Sequence, residues 1–126
     1  MQSFQLQMQD ILDDVYLETK KVTEEAFKAE AKETASYLRQ ISPKQKSGAR
    51  AGKYARGWRW SWEYGETIVY NQTDWQLAHL LEDGHDIKNR FSGNRVIGHY
   101  GGVKHIMLAE ERAGERLPLR ISRGLR

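Results

Sequence analysis

Four histidines are the side chains of this sequence best suited to metal binding or proton transfer: His79, His85, His99 and His105. Together with nearby acids they raise the hypothesis of a metal-dependent nuclease. No two of them stand four residues apart, the chain has no His-Glu-x-x-His element, and it has no cysteine. A zinc site would therefore need histidines from three separate segments to converge. The spacing argues against such a site, and we predict no bound metal and no cofactor.

Nucleophilic chemistry finds even less support. Asn94 and His105 could be combined with His85 into a histidine-asparagine-histidine nuclease scheme, which requires a specific hairpin and helix context. There is no serine in a nucleophile elbow and no cysteine nucleophile. We therefore predict that the protein is not an enzyme, and that His85 is a turn residue that hydrogen-bonds backbone groups after a helix.

Length and composition favour one small domain. The chain has 126 residues, of which 39% are hydrophobic and 29% are charged, and its mean hydropathy is -0.77. Such a chain can bury one modest core and is consistent with an obligate oligomer that completes its burial on neighbours. No apolar run approaches the ~18 residues of a membrane span, so we expect a protein made in the cytoplasm with no membrane partner.

Charged residues are arranged in blocks of one sign. Between residues 44 and 59 all charges are basic, between residues 63 and 86 all are acidic, and the sign then reverses again. One interpretation is that basic loops of one copy meet acidic surfaces of the next in a head-to-tail ring, and the other is that these are solvated loops. On the first interpretation the contacts with partners are Lys44, Lys46, Arg50, Lys53, Lys88, Arg90 and Arg95.

The first half of the chain predicts a helix, a loop and a hairpin. Residues 1–42 contain no glycine or proline and predict one long helix, which Ser42-Pro43 ends. Residues 43–53 form a basic loop that could track phosphates but lacks the spacing of a Walker motif. Residues 54–71 predict a β-hairpin, in which Trp58, Trp60 and Trp62 share one face. That face is expected to be core under the long helix, and the alternative is a platform for single-stranded nucleic acid.

The second half predicts two further helices around a polar segment. Residues 74–84 form a short helix that stops at Gly84, which can take the left-handed position after it. Residues 85–102 contain a loop and a third strand, and residues 103–117 a helix that ends before Pro118. Residues 118–126 are a basic tail. The predicted fold is a single α+β domain, with the long N-terminal helix packed on a small antiparallel β-sheet made of the hairpin and the third strand.

Three motifs together resemble the tail-completion proteins of long-tailed bacteriophages, also described as minor capsid or head-tail joining proteins. They are "LAHLLEDGH" at residues 77–85, "GGVKHIMLAEE" at residues 101–111 and "SPKQKSGARAGKYARGWRW" at residues 42–60. The resemblance extends over residues 11–111. Two features depart from the family pattern: Lys104-His105-Ile106 stands where many members have a proline, and the arginine-rich end after Arg112 has no counterpart.

This resemblance implies a structural protein of the virion neck that forms an oligomeric ring at the head-tail junction. The implied partners are the head-connector or head-completion protein, the tail tube or tail-terminator protein, and, as an open alternative, packaged DNA. The segment of residues 86–98 is then expected to be an assembly surface, with Gly84 and His85 as the structural turn at its base. A basic nucleic-acid-binding domain and a metal-dependent nuclease are the alternative functions.

Overall fold

The computed structural model describes residues 4–44, 51–89, 91 and 93–126, with side chains from residue 8 onward. Helix α1 spans Phe4–Ile41, a short helix α2 spans Lys53–Arg56, and strands β1 and β2 span Trp58–Glu63 and Glu66–Asn71. A 3₁₀ turn at Trp75–Leu77 leads into helix α3, Ala78–Asp83. Strands β3 and β4 span His85–Asn89 and Arg95–Tyr100, and helix α4 spans His105–Gly124. The fold class is α+β, which confirms the prediction.

The core lies against the C-terminal half of α1. Strands β1 and β2 pack on this half, and Leu38, Tyr54, Trp58 and Ala109 form the buried cluster. The guanidinium group of Arg39 donates two hydrogen bonds to the carbonyl oxygen of Trp58, at 3.0 and 2.8 Å. Helix and hairpin are therefore joined by backbone-directed bonds as well as by apolar packing.

Helix α4 lies antiparallel to α1 and is held there by charge. The side chain of Glu30 is 4% exposed and accepts a hydrogen bond from Arg120, while Glu33 accepts one from Arg116 at 2.7 Å. A carboxylate so deeply buried is costly unless it is paired, so these arginines offset the burial of Glu30. None of the helices in the described part of the chain is long and apolar enough to cross a membrane.

The predicted third strand does not join the hairpin. It is β4, and it pairs antiparallel with β3 in a second, separate two-stranded sheet with His85 opposite Tyr100. Residues 86–89, which were expected to belong to a polar loop, are part of β3 because each has a backbone partner on β4. A register shift between Ile87 and Lys88 interrupts the ladder.

The last helix does not end before Pro118, as predicted. Helix α4 continues through Pro118 to Gly124, so residues 118–124 are helical and not an irregular basic tail. Proline costs a helix one hydrogen bond and a steric contact with the carbonyl four residues earlier, which here belongs to Gly114. Ion pairs on both sides of the proline, through Arg116 and Arg120, hold the helix against α1 and offset this cost.

Residues 54–57, predicted as the start of the hairpin, belong instead to α2 and its C-cap. Gly57 follows α2, and a Cβ there would lie 2.2 Å from the hydroxyl oxygen of Thr73 and 2.6 Å from the amide oxygen of Asn71. Asn71 is buried and donates to the carbonyl oxygen of Tyr54 at 2.7 Å. The turn therefore brings the end of β2 against α2.

Candidate functional site

The four histidines do not converge. His79 and His85 are exposed, His99 is exposed and lies 3.0 Å from a carboxylate oxygen of Asp86, and His105 is fully buried. Among the described residues there is no cluster of three or more potential metal ligands. The convergence that a nuclease or zinc site requires is therefore not found in this part of the chain.

His105 belongs to a buried hydrogen-bonded network that the sequence did not reveal. Its Nδ1 lies 2.6 Å from the carbonyl oxygen of Val103, and its Nε2 lies 2.6 Å from the hydroxyl oxygen of Tyr54. Because a carbonyl can only accept, Nδ1 carries a proton and donates to Val103, and Nε2 is the ring nitrogen that faces the Tyr54 hydroxyl. Burial, with a smaller contribution from the charge of Glu82, raises the pKa of Tyr54. The phenol thus stays protonated and serves as the donor.

Glu82 connects this network to the start of α4. One carboxylate oxygen accepts the backbone N–H of Ile106 at 2.7 Å, and the other accepts that of Met107 at 3.0 Å. The first oxygen also lies 3.1 Å from Nδ1 of His105. A helix N-terminus has unpaired N–H groups and a partial positive charge, so the buried carboxylate both satisfies these donors and interacts favourably with the helix dipole. Glu82 is therefore the N-terminal cap of α4, supplied by α3.

The same network explains the spacing of two sequence motifs. "LLEDGH" contains Glu82, and "VKHIM" contains the three residues it contacts, His105, Ile106 and Met107. On the surface, Lys104 donates to a carboxylate oxygen of Asp83 at 2.6 Å, and this bond lowers the pKa of Asp83. The only indication of this helix cap in the sequence was a glutamate shortly before Gly-His. Nothing in the sequence matched that glutamate to a helix start more than twenty residues away.

Gly84 and Gly102 hold the base of the β3–β4 hairpin. Gly84 has a φ of +87°, and a Cβ at this position would lie 2.1 Å from the carbonyl oxygen of Tyr100. Gly102 has a φ of +80°, and a Cβ there would lie 2.7 Å from the backbone nitrogen of Gly84. Two chain segments cross here at a separation that leaves no room for a side chain. His85, predicted as a turn residue, is instead the first residue of β3, and its ring lies against that of Tyr100.

The β3–β4 hairpin, which we call the arm, projects from the rest of the chain. In the described residues its two strands pack extensively only on each other. Ile87, Val96 and Ile97 are 45%, 54% and 62% exposed. Lys88 and Arg95, two of the predicted contact residues, are exposed on the arm beside these apolar side chains. A groove of about 530 Å³, lined in part by Tyr54, Leu81 and Ile87, runs along its base.

The other predicted contact residues are divided between the basic loop and the arm. Lys44 is exposed at the start of the loop, and Lys53, predicted as its last residue, begins α2 with its Nζ 3.8 Å from a carboxylate oxygen of Asp74. Lys46, Arg50 and Arg90 lie outside the described residues. The structure therefore places both Lys88 and Arg95 on the arm, in adjacent pairs of its ladder, and leaves Lys53 near Asp74 of its own subunit.

Two features weaken the sequence-based arguments for nucleic-acid binding. Arg116 and Arg120 bind Glu30 and Glu33 on α1, so they are not part of a solvated basic tail. Of the three aromatic residues expected to form a stacking face, Trp58 is buried, while Trp60 and Trp62 are half-buried. The ammonium group of Lys28 lies 4.8 Å from the ring centre of Trp62, which places that ring under α1.

Comparisons of the chain with protein-family models, with curated proteins and with solved structures found no match.

Proposed function

We propose that the protein is a non-enzymatic structural component of a phage virion, a tail-completion or neck protein that assembles into a ring at the head-tail junction. The observation that best supports this proposal is the arm, a two-stranded sheet with apolar and basic side chains exposed together. An isolated two-stranded sheet is at best marginally stable in water, and exposed apolar patches rimmed by charge are typical of protein–protein contact sites. The arm is therefore proposed to bind a neighbouring subunit or the adjacent virion protein.

The buried network supports the same proposal. Two of the motifs that carry the resemblance to tail-completion proteins, "LAHLLEDGH" and "GGVKHIMLAEE", meet through Glu82, which caps α4. Gly84 lies in the first of them and sets the close crossing at the base of the arm. The motifs thus build a rigid base for an exposed hairpin, an arrangement suited to presenting a contact surface to a partner.

The test is a charge reversal on the arm with a matched control. Lys88→Glu combined with Arg95→Glu should leave the melting temperature nearly unchanged, because exposed charges contribute little to folding. The same double variant should leave heads and tails unjoined in electron micrographs of the producing phage, because partner choice depends on such charges. The control is Lys20→Glu with Lys32→Glu, which makes the same change in net charge at exposed positions of α1.

Phage carrying the arm variant that joins heads to tails at the wild-type yield would contradict the proposal. Retention of the wild-type monomer on DNA in a salt-dependent manner would instead favour the alternative of a nucleic-acid-binding domain. Metal-dependent cleavage of DNA would favour the nuclease.

A further inference from the structure

Helix α1 is much longer than the part of it that the fold covers. Its 38 residues span about 57 Å at 1.5 Å per residue. Val22 is the first buried residue in the described chain, and all of residues 8–21 are exposed. About 20 Å of helix therefore extends beyond the rest of the subunit.

The uncovered part continues the face of α1 that α4 covers. On the covered part, Val22 meets Gly124 so closely that a Cβ on the glycine would lie 2.6 Å from the valine side chain, and Glu30 pairs with Arg120. Val15 lies two turns before Val22 and therefore on the same face. Helix α4 ends at Gly124, so nothing in the described chain continues along this face.

The exposed continuation is strongly apolar. Six large side chains of this segment are between 44% and 65% exposed: Met8, Ile11, Leu12, Val15, Tyr16 and Leu17. Leu17 lies on the opposite side of the helix from Val15, so only part of this apolar surface belongs to the face that α4 covers further along. Four of the six, at positions 8, 11, 12 and 15, have the spacing of a helix that packs on another helix.

Charge restricts what can cover this face. Residues 8–18 contain four acidic residues and no lysine or arginine; Asp14 and Glu18 lie nearest the apolar face, and Asp10 and Asp13 lie on the opposite side of the helix. Pairing this segment with the same segment of a second copy would bring like charges together, which is unfavourable. The complementary surface must combine apolar side chains with basic ones.

The outer face of α4 meets both requirements. Leu117, Pro118, Ile121 and Leu125 line an open groove of about 650 Å³ on this face, with Arg126 at its edge. Arg126 is the basic residue of this groove, since Arg123 lies on the other side of α4, beside Glu18 and Val22 of α1. Arg116 and Arg120 bind α1 on the inner face, so the groove is turned away from the protein's own α1.

We propose that residues 8–18 of one copy dock in the groove on the outer face of α4 of a second copy. Donor and acceptor are different patches of the chain, so the contact is head-to-tail: it closes into a ring if the rotation between copies allows, and otherwise extends as a filament. This docking rests on the proposed function, because it would be the contact between the subunits of the proposed ring. The arm would then be available to the neighbouring virion protein.

Cysteine cross-linking tests this contact, because the natural chain has no cysteine. Val15→Cys and Ile121→Cys are made separately, mixed in equal amounts and oxidised. A disulfide requires Cα atoms within about 7 Å, so a dimer formed in the mixture reports direct contact. The double variant should give a ladder of multimers on a non-reducing gel. Glu63→Cys, at an exposed site on the β1–β2 hairpin, replaces Ile121→Cys as the control and should give no dimer with Val15→Cys.

Each outcome decides between the alternatives. A higher yield of dimer in the mixture than in either single variant supports the docking. If Ile121→Cys melts below the wild type, Leu125→Cys replaces it in the same test. Dimers of Val15→Cys alone, in equal yield, would show that α1 pairs with α1 and would overturn it. Rings that form without a cross-link between positions 15 and 121 overturn the docking and leave the proposed function standing. If positions 15 and 121 cross-link but the protein is never incorporated into virions, the docking is supported and the virion role is overturned.

Discussion

Replacing Gly84 by alanine should destabilise the protein far more than the size of a methyl group suggests. Gly84 has φ +87° and ψ 175°, a region open to almost no residue but glycine, and strain of this kind costs about 1 to 3 kcal/mol. The added Cβ would also lie 2.1 Å from the carbonyl oxygen of Tyr100, so the two segments must separate, and forced displacement of packed atoms costs about 1 to 3 kcal/mol more. The expected total is about 2 to 6 kcal/mol.

Gly65 offers a matched control, because it also has a positive φ, +78°, but a Cβ there would have nothing within 4 Å. Gly65→Ala should therefore cost only about 1 to 2 kcal/mol, from the backbone conformation alone. The assay is urea unfolding of the two variants and the wild type, followed by circular dichroism. If the two alanine variants lose the same free energy of unfolding, the close crossing at the base of the arm does not contribute and the reasoning is refuted.

Three further predictions concern the tryptophans of β1, the hydrogen bond between Tyr54 and His105, and the ion pair of Glu33. Trp58→Ala should cost about 3 to 5 kcal/mol in urea unfolding and half-buried Trp62→Ala clearly less, whereas equal losses would contradict the burial seen here. Tyr54→Phe should cost about 1 to 3 kcal/mol by removing the donor to buried His105, and an unchanged stability would refute that bond. The hydrogen bond from Arg120 lowers the pKa of Glu33, so its stabilisation is present above the ordinary value of 4.5 and is lost as the pH falls below it. Glu33→Gln should flatten this acid dependence in thermal melts, and an identical pH profile would count against the pairing.

Local patterns in the sequence were sufficient for the regular elements of the first half of the chain. Thirty-eight residues without glycine or proline form α1, and the alternation of tryptophans with polar residues forms β1. In both cases the signal is a property of neighbouring residues, since helix propensity and strand alternation operate over a few positions. The position of Gly84 after a short apolar run was visible for the same reason.

The sequence pattern did not predict how deeply each tryptophan of β1 is buried. The three tryptophans were expected to behave alike, but only Trp58 reaches the centre of the core, where its indole N–H donates to the hydroxyl of Ser42 at 2.8 Å. How deeply each ring is buried depends on where α1 crosses the hairpin. That crossing is set by contacts such as those of Arg39 with the Trp58 carbonyl, which no periodicity encodes.

The sequence by itself determined the long helix, the first hairpin, the α+β class and the glycine that ends α3. Only the tertiary structure decided that β4 pairs with polar β3, that α4 continues through Pro118, and that Glu82 caps α4 beside His105. Each of these depends on partners distant in sequence: a backbone ladder, ion pairs to Glu30 and Glu33, and the N–H groups of another helix. Local propensity either opposes these features or does not encode them. They form because long-range hydrogen bonds and charge pairs outweigh local propensity by the few kcal/mol that separate alternative folds.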